Sequence, residues 1–153
     1  MKKFVTICFA IFVLSANGCA QDNASIDAKQ AREVSEKVAQ AIIHDRTKDL
    51  YQLLEKAFRD AASEQDIKPM LAQMYSVYGT PLEVEFKNDE VGFKVYADGA
   101  RKPMQKFWYA LRTSTQPKGT YFFFTEIVRD GDSLRCSSFS IVSFSDGIPD
   151  SLK

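Results

Sequence analysis

The chain is short of the residues on which most enzyme chemistry depends. Its 153 residues include one histidine, one tryptophan and three cysteines. A zinc site draws three or four ligands mainly from histidine and cysteine. His44 and one spare cysteine cannot supply them, so no metal and no cofactor is expected. HExxH, GxSxG, SxxK, P-loop and GxGxxG patterns are all missing, and with them the signatures of many hydrolases and nucleotide-binding enzymes. Charge of one sign is lacking too. Twenty Lys and Arg offset twenty Asp and Glu, which argues against a nucleic-acid partner, since such a protein needs a basic face. There are no internal repeats and no low-complexity tracts. The apolar run from Phe4 to Leu14 falls well short of the roughly 20 residues that anchor a chain across a bilayer.

That run sits in an informative context. Lys2 and Lys3 precede it, and Ser15, Ala16, Asn17 and Gly18 follow it, which is the charged, apolar, small-residue order of an export signal. Residues 1–18 are therefore expected to be removed, and residues 19–26 to form a short tether. Ala16-Asn17-Gly18-Cys19 resembles the lipobox of bacterial lipoproteins. Gly18 matches the small residue before the cysteine; Ala16 departs from the usual Leu, Val or Ile. The resemblance implies that Cys19 becomes an acylated N-terminus carrying palmitate-type chains. Each buried methylene contributes about 0.8 kcal/mol to membrane binding, enough in sum to hold a soluble domain on a membrane. It places the protein in the bacterial cell envelope. In a host with two membranes, Ala20 after the cysteine resembles the pattern sent to the outer membrane, facing the periplasm. Ordinary secretion with cleavage after Gly18 or Ala20 is the alternative. Asn23-Ala24-Ser25 fits a glycosylation acceptor, which a bacterial tether would leave bare.

Cysteine usage agrees with acylation. Cys8 lies in the discarded run, so an acylated Cys19 leaves Cys136 without a partner, and a lone cysteine is expected to be buried. A Cys19–Cys136 bridge is conceivable only if Cys19 stays free.

Residues 27–153 read as one domain, large enough for one core. Ala31, Val34, Val38, Ala41 and Ile42 form the apolar stripe of a helix over 27–44, with Asp27 or Ser25 as cap. A shorter helix carries Leu50, Tyr51, Leu53 and Leu54, after which Phe58 plugs into the core. A third helix ends at Tyr78 and starts near Ser63 or Asp66. Pro69 favours Asp66 as its cap, because proline suits a first turn. From Leu82 the apolar period becomes two. Strands are expected at 82–87, 91–96, 104–113, 120–129 and 134–144, with turns at Asn88-Asp89, Asp98-Gly99 and Asp130-Gly131.

Three helices followed by a five-strand antiparallel meander is an α+β layout. With its helix–break–Leu-Tyr-x-Leu-Leu–Phe run at 50–58, this order resembles the nuclear-transport-factor-two-like cone shared with ketosteroid isomerases. The resemblance implies helices packed in the concave face of a curved sheet. That superfamily hosts enzymes and non-enzymes alike, so fold does not decide function.

Few side chains are candidates for chemistry. His44 ends the first helix, where the dipole favours an imidazolium. A Cys136–His44 nucleophile pair is conceivable, but nothing suggests a lowered thiol pKa. Glu126 shares a strand face with Phe122, Phe124 and Val128. A two-residue turn at Asp130-Gly131 would pair Arg129 with Asp132 and Glu126 with Arg135; a slip of one residue would put Cys136 opposite Glu126. In the isomerase-like relatives, an acidic residue in the cone mouth serves as acid or base. Phe107, Trp108, Tyr109, Tyr121, Phe122, Phe123 and Phe124 put aromatics on both faces of their strands. One face needs a cover beyond the helix layer, such as a ligand, a protein partner or a second copy. Lys102, Lys106, Arg112 and Lys118 rim the same strands. The expected function is a non-catalytic binding or interaction module with ligand-binding residues Trp108, Tyr109, Phe122, Phe124 and Glu126. A small isomerase- or hydratase-like enzyme, or an apolar-ligand carrier with a pocket inside the cone, is the alternative.

Overall fold

The computed structural model describes residues 26–117, 121–144 and 148–152. The export segment, Cys19, the tether up to Ser25 and Lys118 lie outside the described residues. Ile26, the last expected tether residue, already packs on the core.

The first helix, α1 (Ala28–Ile43), starts where Asp27 Oδ1 accepts the Gln30 amide at 2.8 Å. Its expected stripe is buried, with Val34 half-buried, and one polar residue, Ser35, is buried beside it. Asp45, in the left-handed region at φ 51°, closes the turn into α2 (Thr47–Leu53).

The chain then departs from the single helix expected over this stretch. Leu54 becomes extended and forms a parallel bridge with Cys136, and the Glu55 amide donates to the Cys136 carbonyl at 2.9 Å. Helical hydrogen bonding is thus exchanged for sheet bonding at two residues. A separate helix, α3 (Lys56–Ala61), follows, making four helices rather than three. The last, α4 (Glu64–Tyr78), is capped by Ser63, not Asp66. Asp66 Oδ2 instead reaches back to the Ser63 amide at 2.8 Å and its hydroxyl at 2.7 Å. Pro69 therefore lies in the second turn, where it removes a helical hydrogen bond. The Tyr75 hydroxyl donates at 2.8 Å to the Ile42 carbonyl, which also accepts the Asp45 amide at 3.2 Å, and so ties α4 to the end of α1. Gly79 ends α4 at φ 84°, and a Cβ there would sit 2.6 Å from Thr115 Oγ1.

Four strands, not five, form one curved, unclosed antiparallel sheet in the order β1 (Pro81–Val95), β2 (Arg101–Thr113), β3 (Tyr121–Asp130), β4 (Ser133–Ser143). The two short strands expected at 82–87 and 91–96 are one. The apolar phase changes between Phe86 and Val91, from even to odd positions. A β-bulge between Phe86 and Asn88 absorbs that change while the ladder to β2 continues. Asn88 pairs with Trp108, and Asp89 accepts the Gln105 side-chain amide at 2.6 Å, so neither residue turns the chain.

The β3–β4 hairpin turns at Gly131-Asp132, one residue later than expected, with Asp130 opposite Ser133 and Gly131 at φ 60°. The Asp130 carboxylate accepts the Lys56 amide at 2.7 Å, which ties this end of the hairpin to α3. A bulge in this hairpin between Glu126 and Ile127 then places Glu126 opposite Ser138 and Ile127 opposite Cys136. Neither Arg135 nor Cys136 faces Glu126.

The core joins α1, α2 and α4 to one face of the sheet through Val38, Ile42, Leu50, Leu71, Phe107, Tyr109, Leu111, Phe123 and Ile127. A buried polar pin crosses it: the Ser35 hydroxyl lies 2.5 Å from the Tyr109 hydroxyl and 2.7 Å from that of Thr125. Burial pushes the Tyr109 phenol up to about 12. No helix among the described residues is long and apolar enough to cross a membrane.

Candidate functional site

Strand alternation sorts the aromatic residues onto two sides. Phe107, Tyr109, Tyr121 and Phe123 face the helices, with Phe86 of β1 edge-on to Tyr109 at 5.9 Å. Trp108, Phe122, Phe124 and Glu126 face the other way. Tyr109 is thus parted from the other four expected site residues.

On the open face, Trp108 and Phe124 stack at 5.2 Å, tilted by 56°. The Lys106 ammonium lies 4.4 Å from the Trp108 ring centre and 4.1 Å from that of Phe124. The Trp108 indole N–H donates to Glu90 Oε1 at 3.0 Å. Glu126 accepts a hydrogen bond from Lys94 at 2.7 Å and pairs with Lys106 at 3.9 Å. Phe144, just past β4, packs on Phe122 at 5.5 Å and on Trp108 at 6.2 Å. Phe122 is thereby buried, while Trp108 and Phe124 stay partly exposed. The result is a small aromatic platform ringed by Lys94, Lys106, Glu90 and Glu126. Arg112, expected on the same rim, pairs with Glu83.

The sheet face beneath α1 is closely packed. A hollow lined by Ala39, Ile42, Val84, Leu111, Phe123 and Ile141 measures about 10 Å³, at the threshold for one water molecule. None of its lining residues ionises. His44 is exposed, and its ring contacts Gln40 at 3.2 Å. Cys136 is fully buried, its thiol pushed up to about 12 by burial and donating to the Ser138 carbonyl at 3.2 Å. Such a thiol is a poor nucleophile. Among the described residues no three His, Cys, Asp or Glu side chains gather as a metal site would require.

Two polar residues escaped the sequence reading. Glu55, 4% exposed, accepts a hydrogen bond from the Tyr96 hydroxyl at 2.8 Å. Burial holds the Glu55 carboxyl above its usual range, and burial together with Glu55 raises the Tyr96 phenol. Lys102 lies 5.1 Å from the Tyr96 ring. This contact fastens the β1–β2 hairpin to the junction of α2 and α3. Nothing in the apolar period marks Glu55, because it falls in the two-residue extended break between helices.

A narrow cleft opens between α4 and β4. It is about 50 Å³ and lined by Phe58, Met70, Gln73, Met74, Tyr78, Ser137, Ser138 and Phe139. No family model, no curated protein and no solved structure matches this chain.

Proposed function

We propose that this protein is a lipid-tethered module of the bacterial envelope that binds a protein partner or a second copy of itself, without catalysis, through the platform around Trp108 and Phe124. One contrast carries the reading. The sheet face under α1 is filled, whereas the opposite face holds the rings of Trp108 and Phe124, which stay partly exposed beside Phe144 and under no helix longer than one turn among the described residues. Partly exposed tryptophan and phenylalanine inside a ring of charges have the composition of an interface centre and rim. An isomerase-like enzyme or an apolar-ligand carrier needs a pocket of about 300 Å³ or more beside the sheet, and the hollow under α1 (about 10 Å³) and the cleft between α4 and β4 (about 50 Å³) are both far smaller. Glu126 sits on the open face under two lysines, not in a cone mouth. A curved sheet with helices on one side supports the resemblance to the nuclear-transport-factor-two-like cone, here with four strands.

The location rests on Cys19. Cys19→Ser is expected to move the protein from the membrane to the soluble fraction; unchanged membrane fractionation would sink the tether. The interface is tested by placing a photo-crosslinking amino acid at position 108 and, separately, at the exposed Lys48 of α2, in the intact host. A discrete adduct from position 108 and none from position 48 supports the platform. Equal labelling from both, or none from either, refutes it.

A further inference from the structure

We propose that the groove between α4 and β4 receives an extended, uncharged segment of another protein, which adds to the free edge of the sheet as a further strand. This surface is separate from the Trp108 platform. The sheet order ends at β4, so among the described residues one side of that strand is paired with no other strand of the sheet. The edge is already used once within the chain. At Cys136, Leu54 and Glu55 lie alongside it in a parallel bridge, with the Glu55 amide 2.9 Å from the Cys136 carbonyl. Beyond that bridge, from Ser137 to Ser143, no strand of the described residues continues the pairing. Backbone donors and acceptors along an open edge are a template for an incoming strand.

The groove begins where the bridge stops. Ser137, Ser138 and Phe139 form one wall; Met70, Gln73, Met74 and Tyr78 of α4 form the other, with Phe58 at one end. Tyr78 packs on Tyr121 of β3 at 5.3 Å, so the C-terminal end of α4 lies over the neighbouring strand, just inside the edge, and closes that end of the groove. From Met70 to Tyr78 the helix covers about 12 Å, the length of roughly four extended residues.

The chemistry of the walls specifies the occupant. None carries a carboxylate, ammonium or guanidinium group, so a charged side chain would enter unpaired. The 50 Å³ cleft has room for the end of one apolar side chain, and the unbranched methionines can re-pack around it. Main-chain pairing would supply affinity and this pocket selectivity. A second copy would bring its own α4 to the same edge, so a lone segment is the better fit.

The test uses the processed, full-length protein in detergent against a displayed library of random ten-residue peptides. Enriched peptides are then synthesised as probes. The proposal requires uncharged peptides with apolar residues at alternate positions, and slowed amide hydrogen exchange at residues 137–143 in their presence. N-methylation along one peptide edge should abolish binding, and along the other should not. Gln73→Trp fills the groove from an exposed position and should weaken binding at least tenfold, with its circular dichroism spectrum unchanged. Lys48→Trp should leave affinity within twofold. No enrichment over bare resin, protection away from residues 137–143, or binding that survives Gln73→Trp would each overturn the groove while leaving the Trp108 platform untouched.

Discussion

Phe123 and Phe124 are neighbours in sequence and opposites in environment, so truncating each tests the sheet register directly. Phe123 is 2% exposed, with Tyr109 at 6.0 Å and Phe139 at 6.4 Å from its ring. Phe123→Ala leaves a closed cavity, and the transfer and cavity losses together should cost about 3–5 kcal/mol. Phe124 is half-buried between Trp108 and Lys106. Its truncation opens to solvent, so no closed cavity forms. Roughly half of a full Phe transfer term, about 1 kcal/mol, is lost. Losing the aromatic pair and the cation contact adds about 1 kcal/mol more. At about 3 °C per kcal/mol for a domain of this size, the melting temperature should fall by about 10–15 °C for Phe123→Ala and by about 6 °C for Phe124→Ala. Thermal melts followed by circular dichroism measure both. A one-residue slip of β3 would exchange the two faces. Phe124→Ala equal to or costlier than Phe123→Ala would therefore refute the register, and with it the platform.

Three further outcomes follow from buried groups. Ser35→Ala strands the hydroxyls of Tyr109 and Thr125 and should cost about 1–3 kcal/mol, whereas the triple change with Tyr109→Phe and Thr125→Val should cost less than the sum of the singles; additivity in urea melts would deny the pin. Glu55 has a raised folded-state pKa, so its contribution is most favourable below the unfolded value and is lost as pH rises through the folded one. Glu55→Gln keeps an acceptor for Tyr96 without that loss, so its melting temperature relative to wild type should rise between pH 4 and 8, and a flat difference would count against a buried carboxylate. Cys136 should resist a thiol reagent in the native protein and react in denaturant as the only free thiol of the processed chain, since Cys19 is expected to be acylated; a second denatured thiol would show Cys19 unmodified.

Where apolar spacing is regular, it located structure well. The stripe of α1, its Asp27 cap and the two faces of β3 follow from periods of 3.6 and 2. The differences arise where two local signals compete. The phase change after Phe86, together with Asn88-Asp89, has the form of a turn. A bulge produces the same phase change without breaking the ladder, and the 13-residue β2 supplies partners along the whole length. At Leu54-Glu55, helix continuation competes with a hydrogen bond to Cys136, a residue more than eighty positions away. No window of local sequence contains that partner. Pro69 argued for a later helix start, but the Ser63–Asp66 box satisfies first-turn donors three residues earlier. The platform was partly legible: alternation put Phe122, Phe124 and Glu126 on one face, but the lysines that hold Glu126 come from β1 and β2 and are fixed only by pairing.

Those lysines bear on what the open face is built for. A general acid or base needs a proton acceptor or donor of the substrate within hydrogen-bond reach. Glu126 instead accepts from Lys94 at 2.7 Å, and the same carboxylate faces Lys106 at 3.9 Å. Lys106 in turn lies against both aromatic rings, so its charge is shared between a carboxylate and two π faces. Trp108 has its N–H on Glu90. A partner laid on the rings therefore covers apolar surface whose polar neighbours already have hydrogen-bond or ionic partners. Leaving a buried charge unpaired is the large penalty in association, and covering a paired one at a rim is a small one. The geometry thus lowers the cost of the docking proposed for this face.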